Sequence, residues 1–162
     1  MSRTFSSWLS GPESAGPSQS DNAPGQGLGL PSRGPGSLAP MGRRTAALAL
    51  DWFSAAGLAG LGVPLGLANA DEYLIGGAWQ TVTMVIWLVL GVVAVRLFGF
   101  TPGQYACGLR VIPADSPDAG VGIVRAIGRM LLIALVVPPL FADADGRGLQ
   151  DRATATAVVR SR

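Results

Sequence analysis

The sequence predicts an all-α fold: a small polytopic membrane protein with two transmembrane helices, a third tilted or re-entrant apolar helix, and a disordered N-terminal tail. Three observations carry that prediction. Hydrophobic residues make up 49% of the 162 residues and charged residues only 14%, with a mean hydropathy of +0.40, whereas soluble domains carry about a quarter charged residues. Two apolar runs are long enough to cross a bilayer. The first 40 residues hold no long apolar run and are crowded with Pro, Gly and Ser. The expected organisation is a disordered cytoplasmic tail over residues 1–40 and a membrane domain over 41–162, with helices at about 45–68, 78–98 and 121–142.

In the tail, stretches such as Gly11-Pro12-Glu13-Ser14 and Pro31-Ser32-Arg33-Gly34-Pro35-Gly36 offer too little apolar area to offset the entropy of ordering. Phe5, Trp8 and Leu9 form a small apolar group near the start. The first long apolar run begins only near residue 45, which is too late for a secretory signal.

The first spanning candidate is 45–68, TAALALDWFSAAGLAGLGVPLGLA. At about 1.5 Å per residue it reaches about 36 Å, enough for a hydrocarbon core of about 30 Å with some tilt. It holds one charge, Asp51, and one proline, Pro64. Small residues four apart, Ala55 with Ala59 and Ala56 with Gly60, allow close helix approach in lipid. Asp71, Glu72 and Tyr73 follow in a short acidic loop. The second span is 78–98, with Trp79 and Phe98 suited to the two interfaces. Gln80, Thr81 and Thr83 near its start are candidates for hydrogen bonds between helices.

Arg43 and Arg44 precede the first span, the acidic pair separates the two, and Arg96 and Arg110 follow the second. The positive-inside rule then puts the N-terminus and the segment after residue 98 in the cytoplasm, so the protein is expected to be multi-pass in the cell (inner or plasma) membrane. Thr101-Pro102-Gly103 reads as a turn, and Cys107 to Ile112 as a short strand or an interfacial segment. The third apolar segment, Val121 to Ala142, carries Arg125 and Arg129 in its first half and Pro138-Pro139 in its second. Its uninterrupted apolar part, Met130 to Ala142, is short for a span, which favours a tilted or re-entrant helix with the Arg-rich tail inside.

The same residues bound the chemistry. All 12 basic residues are Arg, and neither Lys nor His occurs. Without imidazole there is no His ligand, no His acid/base group and no His triad. The net charge of +2 is too slight to call for nucleic acid, and one cysteine, Cys107, cannot form an internal disulfide. Asp143-Ala-Asp145-Gly146 opens like a calcium loop, but Arg147 and Thr154 stand where oxygen ligands are needed. No phosphate loop, nucleophile elbow or zinc spacing occurs, so no enzyme, cofactor or metal is expected.

What remains is charge in lipid. Asp51 lies about two turns inside the first span, where a carboxylate costs up to about 3.5 kcal/mol. Arg44 shares its helix face about 10 Å away. Arg125 and Arg129 also share a face, so that either one neutralises Asp51 from a neighbouring helix or both snorkel to the cytoplasm. Arg147 and Arg152 suit anionic lipid head groups.

Three spaced motifs in this order resemble the RDD family of membrane proteins: Arg44-Thr-Ala-Ala-Leu-Ala-Leu-Asp51, Thr101-Pro-Gly-Gln-Tyr-Ala-Cys-Gly-Leu-Arg-Val111, and Leu149-Gln-Asp-Arg152. The resemblance covers roughly residues 42–160. It implies that Arg44, Asp51 and Asp151 are the family's arginine and two aspartates, and that Arg125 and Arg129 match a basic pair before the last apolar segment. Gln104 and Gln150 stand where the family commonly has Lys and His. Some members have been linked to cation/proton antiport. That link implies a transporter in which Asp51 exchanges a proton or monovalent cation, Arg44 tunes it, and Asp151 gates or pairs from the cytoplasmic side. Two or three helices scarcely enclose a pathway, so transport calls for a homo-oligomer in the bilayer. The alternative is a non-transporting membrane adaptor or assembly protein in which Arg44, Asp51 and Asp151 form a structural lock.

Overall fold

A computed structural model of the chain describes residues 25–135 and 148–162. Within these described residues, six helices and two strands follow a 3-10 turn at Gln26–Leu28: α1 Met41–Gly60, α2 Ala70–Ile75, α3 Ala78–Phe98, α4 Pro102–Ala106, β1 Leu109–Pro113, α5 Ile123–Ala134, α6 Leu149–Ala153 and β2 Thr156–Arg160. Helices α1, α3 and α5 pack together, and the sheet with α4 and α6 lies across the end where α1 begins and α3 finishes.

α3 lies where the sequence predicts the second span. Among the described residues it is the one helix long and apolar enough to cross a membrane. The first helix differs from expectation. It starts earlier, at Met41, and ends at Gly60, so residues 61–66 form turns in place of the helix expected to residue 68. Pro64 cannot continue the hydrogen-bond ladder, and Gly66 takes a positive φ of 70°. The expected acidic loop is the short helix α2, whose Tyr73 hydroxyl donates to the Ala59 carbonyl at 2.9 Å and ties the loop to the end of α1. The third element is shorter than the expected 121–142 helix. α5 has 12 residues, about 18 Å, which is well short of a span. Residues 136–142 lie outside the described residues, as do the acidic turn at 143–147 and Phe5, Trp8 and Leu9.

The fold is not all-α. β1 and β2 pair antiparallel, Leu109 opposite Arg160 and Pro113 opposite Thr156. On the other side of β2 the Gly36 and Ala39 N–H groups donate to the Arg160 and Val158 carbonyls, and Leu38 bridges Val159. The tail expected as disordered to residue 40 is therefore tied into the sheet from Gly36 onward, with Leu38 and Ala39 buried. β1 takes the strand alternative expected for Cys107 to Ile112, whereas β2 escapes the reading because it is only five residues long and follows a polar, Arg-rich stretch.

Two apolar clusters hold the parts together. Leu109, Val111 and Val158 of the sheet pack against Ala47 of α1, Val95 of α3 and Ala126 of α5. Deeper between the helices, Ala55, Trp87, Met130 and Ile133 form the second. Trp87 is buried there, its ring edge-on to Trp52 at 6.2 Å between centroids. The stripe Ala47, Ala55 and Ala59 faces inward, so the small-residue face of α1 is used within the chain. Gly91 has the same purpose on α3, because a Cβ there would overlap the Met130 side chain. Thr83 is buried without a hydrogen-bond partner among the described residues, while Gln80 and Thr81 are exposed, so none of the three bonds between helices as expected.

Candidate functional site

The charged residues singled out by sequence divide into three separate arrangements. The central one is on Asp151, in the first turn of α6 and 0% exposed. Arg44, on the first turns of α1, donates from Nη1 to Asp151 Oδ2 at 2.8 Å and from Nη2 to the Val158 carbonyl at 3.4 Å. Arg129 of α5 donates from Nη1 to the other oxygen, Oδ1, and to Thr156 Oγ1 at 3.2 Å. Both arginines are buried, at 8% and 3% exposure. One carboxylate thus joins the start of α1, the middle of α5, α6 and the start of β2. Such a pair is strong only when the remaining polar atoms are also bonded. Here Nε of Arg44, Nε of Arg129 and Oε1 of Gln150 have no partner among the described residues.

The second arrangement is on Asp51, 5% exposed on the inward face of α1. The sequence pairs it with Arg44 or with a member of the α5 basic pair, and neither pairing occurs among the described residues. Its partners are at the N-terminus of α4: the Thr101 hydroxyl donates to Oδ2 at 2.5 Å, and the Gly103 N–H donates to Oδ1 at 2.7 Å. Each oxygen thus has its own neutral donor, one a hydroxyl and one a backbone N–H. Thr101 also caps α4, accepting from the Gln104 N–H, while the Gln104 side chain accepts from the Thr101 N–H. Gly103 is required for this approach. A Cβ at that position would lie 2.2 Å from the Ala47 carbonyl oxygen and 3.0 Å from the Asp51 backbone nitrogen.

The third arrangement is peripheral. Arg125 makes a bidentate pair with Asp115 at 2.6 and 2.7 Å on the surface, so it neither reaches Asp51 nor hangs free as a snorkelling arginine. Its guanidinium hydrogen bonds push the Asp115 carboxyl down to about 2.

The residues missed by sequence are Thr101, Gly103, Thr156 and Asp115. For the first two a signal was present: Thr101-Pro102-Gly103-Gln104 is a capping box with proline in the first turn, which marks a helix start and not only a turn. Gln104 closes that box, so the departure from Lys at this position is accommodated structurally.

Two cavities adjoin these groups. A small one of about 10 Å3 lies beside Asp51, Thr101 and Arg129. A larger one of about 320 Å3 lies between α1, α3 and α5, with Arg44, Gln104, Arg129 and Gln150 at its polar end.

The RDD family pattern matches residues 38–155, spanning the arginine of α1, both aspartates and the capping box between them. The chain belongs to the RDD family. It is a small membrane protein, and its apolar helix faces contact lipid. Comparison with curated proteins and with solved structures gives no match. The RDD match begins at Leu38, the residue that bridges β2, and stops just short of β2 itself. The last strand nevertheless completes the RDD charge cluster, through Thr156 Oγ1 and the Val158 carbonyl.

Proposed function

We propose that this RDD protein is a non-catalytic, non-transporting membrane adaptor, in which Arg44, Asp151 and Arg129 lock a cytoplasmic platform of α4, α6 and the sheet onto the membrane helices. The observation that carries this reading is the placement of Asp151 between two buried guanidiniums from different helices. Asp51 adds a second cross-link, from α1 to α4. In this reading the charges are occupied by contacts within the chain, and the platform, with its exposed Arg43, Arg110 and Arg162, faces the cytoplasm as the positive-inside rule requires. In this reading the protein is multi-pass in the cell membrane: α3 alone has the length and apolarity of a span by itself, α1 crosses packed against it as the other arm of the hairpin, and the N-terminal tail is inside.

A second reading is supported by Asp51 itself. No cation pairs with it among the described residues, and a cavity just large enough for about one water adjoins it. A carboxylate so placed can exchange a proton or a monovalent cation, with oligomers supplying the path.

Ion-gradient-driven proton flux in proteoliposomes separates the two, comparing wild type with Asp51→Asn at matched incorporation. The adaptor reading expects no flux from folded wild type and a lower melting temperature for the variant. Flux that vanishes with Asp51→Asn would establish the transport reading instead.

A further inference from the structure

We propose that the cavity between α1, α3 and α5 is a binding site for one anionic phospholipid, held by its head group against Arg44 and Arg129. The site is divided by chemistry. Its inner end is polar and carries the two arginines with Gln104 and Gln150, all more than nine-tenths buried. Its outer part is lined by Leu48, Trp52, Met84 and Trp87. The volume, about 320 Å3, is that of a site for part of an amphiphile: a head group and the first stretch of its chains.

Charge selects the occupant. Among the described residues two buried guanidiniums face one carboxylate, which gives the cluster a net charge of +1. A phosphodiester is an acceptor of the right charge and geometry for the two guanidinium side chains that line this end. Gln104 and Gln150 line the same end and offer neutral polar side chains beside the guanidiniums.

Position selects it further. Trp52 lines the cavity and is 39% exposed, so the cavity opens beside an apolar side chain on the outer surface of the helices. The polar end lies level with the platform, where a membrane protein meets head groups. A lipid entering from the side places both of its halves correctly, whereas a free phosphate leaves the apolar half empty.

This inference rests on membrane residence and not on the lock, whose test is stability, so the two fail separately. The test uses the full chain with Trp8 and Trp79 replaced by Phe, so that fluorescence comes from Trp52 and Trp87. It is reconstituted in phosphatidylcholine bilayers, and chain-brominated phosphatidylglycerol is compared with chain-brominated phosphatidylcholine as quencher. We expect half-maximal quenching at about fivefold lower mole fraction of the anionic lipid, the preference that about 1 kcal/mol from one net charge supplies. Ala49→Phe, which fills the cavity from α1 without touching the charge cluster, abolishes that preference. Thr45→Phe serves the same purpose if Ala49→Phe lowers the melting temperature. Equal quenching by the two lipids in the unfilled protein would overturn the proposal. A preference that survives cavity filling would do so as well, because surface attraction would then account for it. So would loss of the preference on adding excess inorganic phosphate at constant ionic strength, since the ligand would then be the free anion.

Discussion

At the scale of single residues, the two aspartates of the family motif have different surroundings despite similar burial. Asp151 is paired with cations and Asp51 with neutral donors. Asp151→Asn leaves two buried guanidiniums facing each other without a counter-ion. It is expected to cost about 3–5 kcal/mol, the usual range for breaking a buried pair from one side. Arg44→Gln leaves Arg129 with Asp151 as a neutral pair and is expected to cost distinctly less. Thermal unfolding of both variants in the same detergent checks the order, and a larger loss for Arg44→Gln would contradict the arrangement. Asp115 supplies a test outside the membrane. Its carboxyl, ordinarily at 3.8, is pushed down to about 2 by Arg125. The folded value lies below the unfolded one, so the contribution is complete above about pH 4 and fades as pH falls toward 2. Arg125→Ala should return the Asp115 titration, followed by carboxyl carbon NMR, to the ordinary range. The sequence singles out these charged residues but not how they pair. Arg44 and Asp51 share a helix face and are close in sequence, whereas the partners chosen lie 107 and 50 residues away, at positions that only the fold brings near.

Among the elements, α4 shows how a five-residue helix is positioned. Proline at its first position, the reciprocal cap between Thr101 and Gln104, and the reach of Asp51 to Gly103 fix both its start and its seat on α1. Gly103 touches the α1 backbone, which cannot yield as a flexible side chain does. Gly103→Ala is expected to separate α4 from α1 and to cost about 3 kcal/mol, the upper end of the usual range for overpacked cores. Gly91→Ala should cost less, because the far end of Met130 can move aside. Unfolding midpoints for the two variants provide the comparison. Elements of strong apolar character were legible beforehand. α3 has the bounds its composition implies, because nothing in 78–98 competes with a helix. α1 was legible except at its ends, where Pro64 and the turn after Gly60 override an apolar run that composition alone carries to residue 68. In the sheet β1 was legible as one of two alternatives, while β2 and its pairing were not. β1 is five residues between two glycine-containing turns, and its pairing with β2 closes a loop of more than forty residues that no local pattern announces.

For the whole molecule, the placement of the basic residues follows one rule. Arg43, Arg44, Arg96, Arg110, Arg160 and Arg162 all belong to the platform end, while Asp71 and Glu72 belong to α2 at the other. Cys107 lies between α4 and β1 at the platform and is the chain's one cysteine. A membrane-impermeant maleimide should therefore label it only after cells are opened, and labelling of intact cells would reverse the proposed orientation. The charge cluster also has an order in time. Arg44 and Arg129 both leave the ribosome before Asp151, and the strand that supplies Thr156 and the Val158 carbonyl comes later still. Until then the growing chain has its helices made and two arginines without their acid. A chain stopped before residue 149 is left in that condition: the platform end can close only once α6 and β2 have been made.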